Sequence, residues 1–157
     1  MNDGIEALKK YIENNLGESS GCWEYVLHPN IRDYISNLNQ TDSEKFSIEI
    51  LNWNEDVLYQ LADEMLFSNN EYIDKDYLFC SIYLIINDIE NLDYLSQYII
   101  PCFKNLNFEK VSLEFFLQMK EKMKNFYIIK NGEENVDNFI RQINEVINKK
   151  MQTTENK

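Results

Sequence analysis

Hydrophobic and polar positions recur along this chain with a helical period. Ile5, Leu8, Ile12 and Leu16 follow one another at steps of three and four, which predicts a helix from Asp3 to Leu16, with Gly17 suited to cap its end. Pro29 fits the first turn of a helix carrying Ile31, Tyr34, Ile35 and Leu38. Thr41-Asp-Ser-Glu44 has the form of a capping box, opening a helix with Phe46, Ile50 and Leu51 inside. Asn54 predicts another helix start, with Trp53 and Leu58 placed to staple it and Leu58, Leu61, Ala62, Met65 and Leu66 as the inward stripe of helix 55–67. Asn91 opens a helix through Leu92, Leu95, Tyr98 and Ile99 that Pro101 should end. Ser112 caps a long helix bearing Leu113, Phe116, Leu117, Met123 and Tyr127, and Asn131-Gly132 makes the next turn. Val136, Phe139, Ile140, Ile143, Val146 and Ile147 form the last regular stripe, with a flexible tail expected over 151–157.

One stretch breaks the alternation. Nine of the ten residues from Tyr77 to Ile86 are apolar or aromatic, so this segment has no polar face and must be covered on nearly all sides. It is too short to span a bilayer, which takes about 20 apolar residues. Asp74 and Asp76 suit a helix start and Asn87-Asp88 its end, so Lys75 to Asn87 reads as a central buried helix, with Leu78, Ile82, Ile85 and Ile86 among the most buried residues; the β-branched isoleucines and the aromatics suit a buried strand as the alternative. The fold class is therefore all-α, a single domain over 1–150 of about seven to eight helices. Asn54-Glu-Asp-Val-Leu-Tyr-Gln60 and Asn91-Leu-Asp-Tyr-Leu-Ser-Gln97 agree at four of seven positions, 37 residues apart. Shared capping chemistry explains this match; so does a HEAT-like stack of αα-hairpins over 42–67, 74–100 and 112–150.

Composition changes the picture through charge. Net charge is −12, and residues 42–93 hold 13 acids against 2 bases, whereas residues 94–157 hold 8 against 10. An acidic middle opposes nucleic-acid binding, which draws its affinity from cations on phosphates, and opposes anionic membrane surfaces; it favours a basic protein partner. Cys22, Cys80 and Cys102 are few and widely spaced, as expected of buried thiols in a reducing cytoplasm, and no stretch at the amino end has the form of a secretory leader.

Signs of catalysis are scarce, so no enzyme and no cofactor is expected. His28 is the only histidine and reads as structural; Cys22 six residues away makes a weak nucleophile–base pair. There is no zinc-knuckle spacing and no glycine-rich phosphate loop, and Asp74-Lys-Asp76 lacks the glycine of a calcium loop. The acidic surface is the better candidate. Glu55, Asp56, Tyr59, Gln60, Asp63 and Glu64 on helix 55–67, extended by Glu90, Asp93, Tyr94 and Gln97, are read as the partner-binding residues, tyrosines among carboxylates being suited to protein recognition. Ordinary solubility is the plainer account of the same residues.

The stretch Leu51-Asn-Trp-Asn-Glu-Asp-Val-Leu-Tyr-Gln-Leu-Ala-Asp-Glu-Met-Leu66, with Asp76-Tyr-Leu-Phe-Cys-Ser-Ile-Tyr-Leu-Ile-Ile-Asn-Asp88, resembles the small acidic HEAT-like immunity proteins of bacterial polymorphic-toxin and contact-dependent inhibition systems. The resemblance spans residues 42–100 and lies in helix pattern and acidity. It implies a cytoplasmic protein that binds and neutralises one cognate toxin domain, often a nuclease, without catalysing a reaction. It transfers no site residue. The lysines of 112–130 depart from a uniformly acidic pattern and leave a contact of mixed sign open. An α-helical adaptor binding another basic cellular protein is the alternative, and a metal-dependent hydrolase stands behind both.

Overall fold

The computed structural model describes residues 3–155, and all regular structure among them is helical. In order the helices are α1 (Asp3–Asn15), α2 (Ser20–Cys22), α3 (His28–Ser36), α4 (Gln40–Glu49), α5 (Glu55–Leu66), α6 (Lys75–Ile85), α7 (Ile89–Asn105), α8 (Leu113–Asn131) and α9 (Val136–Glu155). Eight of these described helices have nine residues or more, and the all-α class holds. Contacts divide the chain into two compact units, Met1–Asn87 and Asp88–Lys157. The division falls inside the span 1–150 that the sequence groups together.

In the first unit the apolar run forms α6 as expected. Asp74 caps it, accepting from the Tyr77 N–H at 3.2 Å, and Leu78 through Tyr83 are six buried residues in succession. Ile82 and Ile86 are fully buried, while Ile85 at the end of the helix is half-buried. Ser81, the polar exception, donates back to the Tyr77 carbonyl at 2.8 Å and so leaves no unpaired hydroxyl in the core. The hairpin expected over 42–67 is not the main pairing. α5 packs chiefly on α3 and α6, because its apolar residues Val57, Leu58, Leu61, Ala62 and Met65 cover more than one stripe.

α3 and α5 are joined by a row of polar contacts with a nearly constant offset. His28 meets Gln60, Arg32 meets Glu64, and just past the end of α5 the Asn69 N–H donates to Ser36 Oγ at 3.0 Å. Contacts that advance together along both helices require the two to run in the same direction. Asn70 closes the row: its buried amide donates to the Ile35 carbonyl and to Ser43 Oγ, both at 2.9 Å, tying the end of α3 to α4.

Between α2 and α3 the helix widens into a π turn, Trp23–Leu27. Pro29 has no N–H to give the carbonyl four residues back, so the ladder opens there, and the His28 N–H reaches five residues back to Trp23.

In the second unit Ser112 caps α8, accepting from the Phe115 N–H at 3.2 Å, and Gly132 ends it at φ 76°, a conformation glycine adopts without strain. Lys150 on α9 donates to the Leu106 carbonyl, and burial pushes its ammonium pKa down. α9 continues to Glu155, past Met151 where the tail was expected.

Three helix boundaries differ from expectation. Asn39, not Thr41, caps α4, accepting from the Asp42 N–H at 2.8 Å, and Asp88, not Asn91, caps α7, accepting from the Asn91 N–H at 2.9 Å. Pro101 does not end α7, which runs to Asn105 because Cys102 and Phe103 are core residues and their burial outweighs one lost backbone bond. Among the described residues no helix is long and apolar enough to cross a membrane.

Candidate functional site

The six candidate residues on α5 fall into two sets. Asp56 is exposed in the first turn, where a carboxylate also offsets the helix dipole, and Glu55 beside it accepts from the Asn87 N–H at 2.8 Å. Tyr59, Gln60 and Asp63 are half-buried along the flank. Glu64 departs from the surface placement expected of it: its side chain is only 5% exposed. It lies between the buried Leu61 and Met65 on the flank facing α3, where the Arg32 guanidinium Nε donates to it at 2.7 Å. A buried carboxylate persists only with such a partner.

His28 adds to this seam. Its Nε2 is 3.0 Å from Gln60 Oε1 and its Nδ1 is 3.9 Å from Glu64, while its ring packs on Trp23 with centroids 5.2 Å apart. Both nitrogens thus face acceptors, and the structural reading of His28 fits its position. Trp23 Nε1 is buried without a hydrogen-bond partner. Sequence reasoning passed over Arg32 and the π turn, although Pro29 next to a lone histidine was a usable signal for the latter.

Glu24 belongs to the π turn and Asp56 to the first turn of α5. Both are exposed, and Tyr25 and Val26 beside Glu24 are 76% and 49% exposed. Carboxylates next to solvent-facing apolar side chains are the composition of a protein-binding surface.

The remaining candidates lie on α7 in the second unit. Asp93 is exposed but committed, accepting from Lys130 Nζ on α8 at 3.1 Å. Tyr94 is 39% exposed and meets Tyr98 edge-on at 6.3 Å, while Glu90 and Gln97 are exposed. Charge follows the division of the chain. Residues 1–87 hold 16 acids and 5 bases, net −11, whereas 88–157 hold 11 acids and 10 bases. Among the described residues no three His, Cys, Asp or Glu side chains group as metal ligands would.

Removing the seam's cation should be costly. Arg32→Met strands the Glu64 carboxylate, and because Arg32 is itself half-exposed the expected loss is about 2–3 kcal/mol, below the value for a fully buried pair. Urea denaturation measures it, and Glu64→Gln in the same chain should recover part of the loss. An unchanged midpoint for Arg32→Met would show that the pair does not hold the helices together.

Comparison with known proteins finds no matching family model, curated protein or solved structure.

Proposed function

We propose that this chain is an immunity-type inhibitor that binds a basic toxin domain through its first unit and blocks it by occupying its surface, without catalysis. One observation carries the reading: nearly all the net charge of −12 belongs to residues 1–87, the unit that also exposes Tyr25, Val26, Ile48, Phe67 and Tyr72. Uncompensated charge on one compact unit destabilises it by self-repulsion, a cost that a partner of opposite sign removes. This reading assigns the contact to the exposed π-turn residues Glu24, Tyr25 and Val26 and to Asp56 on α5, with the half-buried Tyr59, Gln60 and Asp63 of the same helix. Glu64 holds α5 to α3 through Arg32. Three free thiols suit a reducing cytoplasm as the place of action.

The test is retention of a partner followed by neutralisation. The tagged chain, expressed in its native cell, should retain a basic protein that salt elutes and whose toxic activity an equimolar amount of the chain abolishes. A retained basic protein without toxic activity would turn the assignment to an adaptor. Retention of no basic protein would remove both.

A further inference from the structure

A second recognition feature lies on the other flank of α3. A cavity of about 240 Å³ opens between α1 and α3, lined by Ala7, Leu8, Tyr11, Asn30 and Tyr34. This is below the roughly 300–1,000 Å³ of sites for drug-sized ligands, so it suits one side chain or a fragment of that size.

Its frame is fixed by two contacts. Asn30 Nδ2 donates to the Tyr11 hydroxyl at 3.0 Å, joining α3 to α1. The Tyr34 hydroxyl lies against Gly4 of α1, where a Cβ would come within 2.5 Å of it. Glycine inside a helix costs about 1 kcal/mol relative to alanine, so its use at this contact is informative.

With its amide nitrogen spent on Tyr11, Asn30 has its carbonyl oxygen left to accept a donor. The phenol rings supply aromatic wall, and Ala7 and Leu8 supply apolar wall. Asp42 is near enough to Tyr34 to add to burial, the larger cause, in raising its phenol pKa. The unit as a whole carries net −11. Aromatic wall, a carbonyl acceptor and negative potential together select a cation with an apolar stem.

We propose that the α1–α3 cavity is a receptor for one alkylguanidinium or alkylammonium group, its stem against Ala7 and Leu8 and its charged head among Tyr11, Tyr34 and Asn30. Such a head comes either from a free small molecule or from an arginine or lysine side chain of a protein. The site does not depend on the toxin reading and is tested without a partner.

The experiment titrates the full chain with n-butylguanidinium, with its neutral analogue n-butylurea and with the blocked peptide acetyl-Gly-Arg-Gly-amide, following the assigned ring signals of Tyr11 and Tyr34 by NMR. The expected result is a saturable shift of both rings, with the guanidinium binding about fivefold or more tighter than the urea. Peptide binding equal to that of butylguanidinium identifies a protein side chain as the source, and exclusion of the peptide identifies a free cation; either supports the site. Ala7→Lys, at an exposed helix position that tolerates lysine, should place a competing ammonium at the mouth and abolish the shift. In Asn30→Asp, also at an exposed position, the Tyr11 hydroxyl donates to the new carboxylate in place of accepting from the amide, so the α1–α3 contact is kept and guanidinium binding should tighten severalfold. Equal binding of the urea, absence of a saturable shift, or binding unchanged in Ala7→Lys would overturn the proposal.

Discussion

Ile82→Asp is expected to unfold the first unit. Ile82 is fully buried near the carboxyl end of α6, with buried residues on both sides of it in sequence from Leu78 to Tyr83, so no rotamer takes a carboxylate to solvent. The described basic residue on α6, Lys75, is at its first position and already donates to the Ser68 carbonyl. The new acid must therefore remain charged and unpaired or take up a proton, and it also forfeits the packing of the isoleucine. Together these cost about 4 kcal/mol or more, against a total stability for a typical domain of about 5–15 kcal/mol. Circular dichroism at 222 nm and thermal melting measure the loss. Ile89→Asp is the control: Ile89 is 41% exposed at the first position of α7, where an added carboxylate meets the helix dipole favourably, and its melting temperature should not fall. A chain with Ile82→Asp that melts like the parent would remove α6 from the core.

The legible parts of the fold were those in which one local feature decides the outcome. Tyr77–Ile86 could only be buried because it lacks a polar face, and Asp74, Ser112 and Gly132 each end or begin a helix through their own side chain or backbone freedom. Pro101 misled because the core contacts of Cys102 and Phe103 are long-range and invisible to a local rule. The caps moved to Asn39 and Asp88 for a related reason: several neighbouring residues could cap equally well, and packing chose among them. The site followed the same division. Asp56 was correctly placed on the surface, but the periodicity of α5 did not distinguish Glu64 from Asp63, since what buries Glu64 is Arg32, 32 residues away. Asp93 was likewise readable as exposed but not as the partner of Lys130.

That geometry narrows the test of the acidic surface. Asp63, Glu64 and Asp93 already serve the fold or a neighbour, so reversing them would confuse binding with stability. Glu24→Lys with Asp56→Lys changes two exposed charges of the first unit, and exposed charges add little to folding, typically under about 1 kcal/mol each. Against a basic toxin the pair of reversals should slow association about tenfold at low salt and flatten its decline with added salt, because long-range attraction acts on encounter. Tyr25→Ala should act on the other rate. A side chain 76% exposed in the free protein has most of its ring surface still to bury, so its removal should raise the dissociation rate about tenfold or more while leaving association nearly unchanged. Lysines 120, 122 and 124 of α8 are half-buried and make poor controls, whereas Lys104 and Lys110 are exposed; their reversal to Glu should leave both rates within about twofold if the second unit stays outside the interface. Surface plasmon resonance at two salt concentrations, with the purified partner immobilised, separates these effects. Loss of binding on reversing Lys104 and Lys110, with the Glu24 and Asp56 reversals silent, would move the interface to the second unit and detach the net charge of residues 1–87 from recognition.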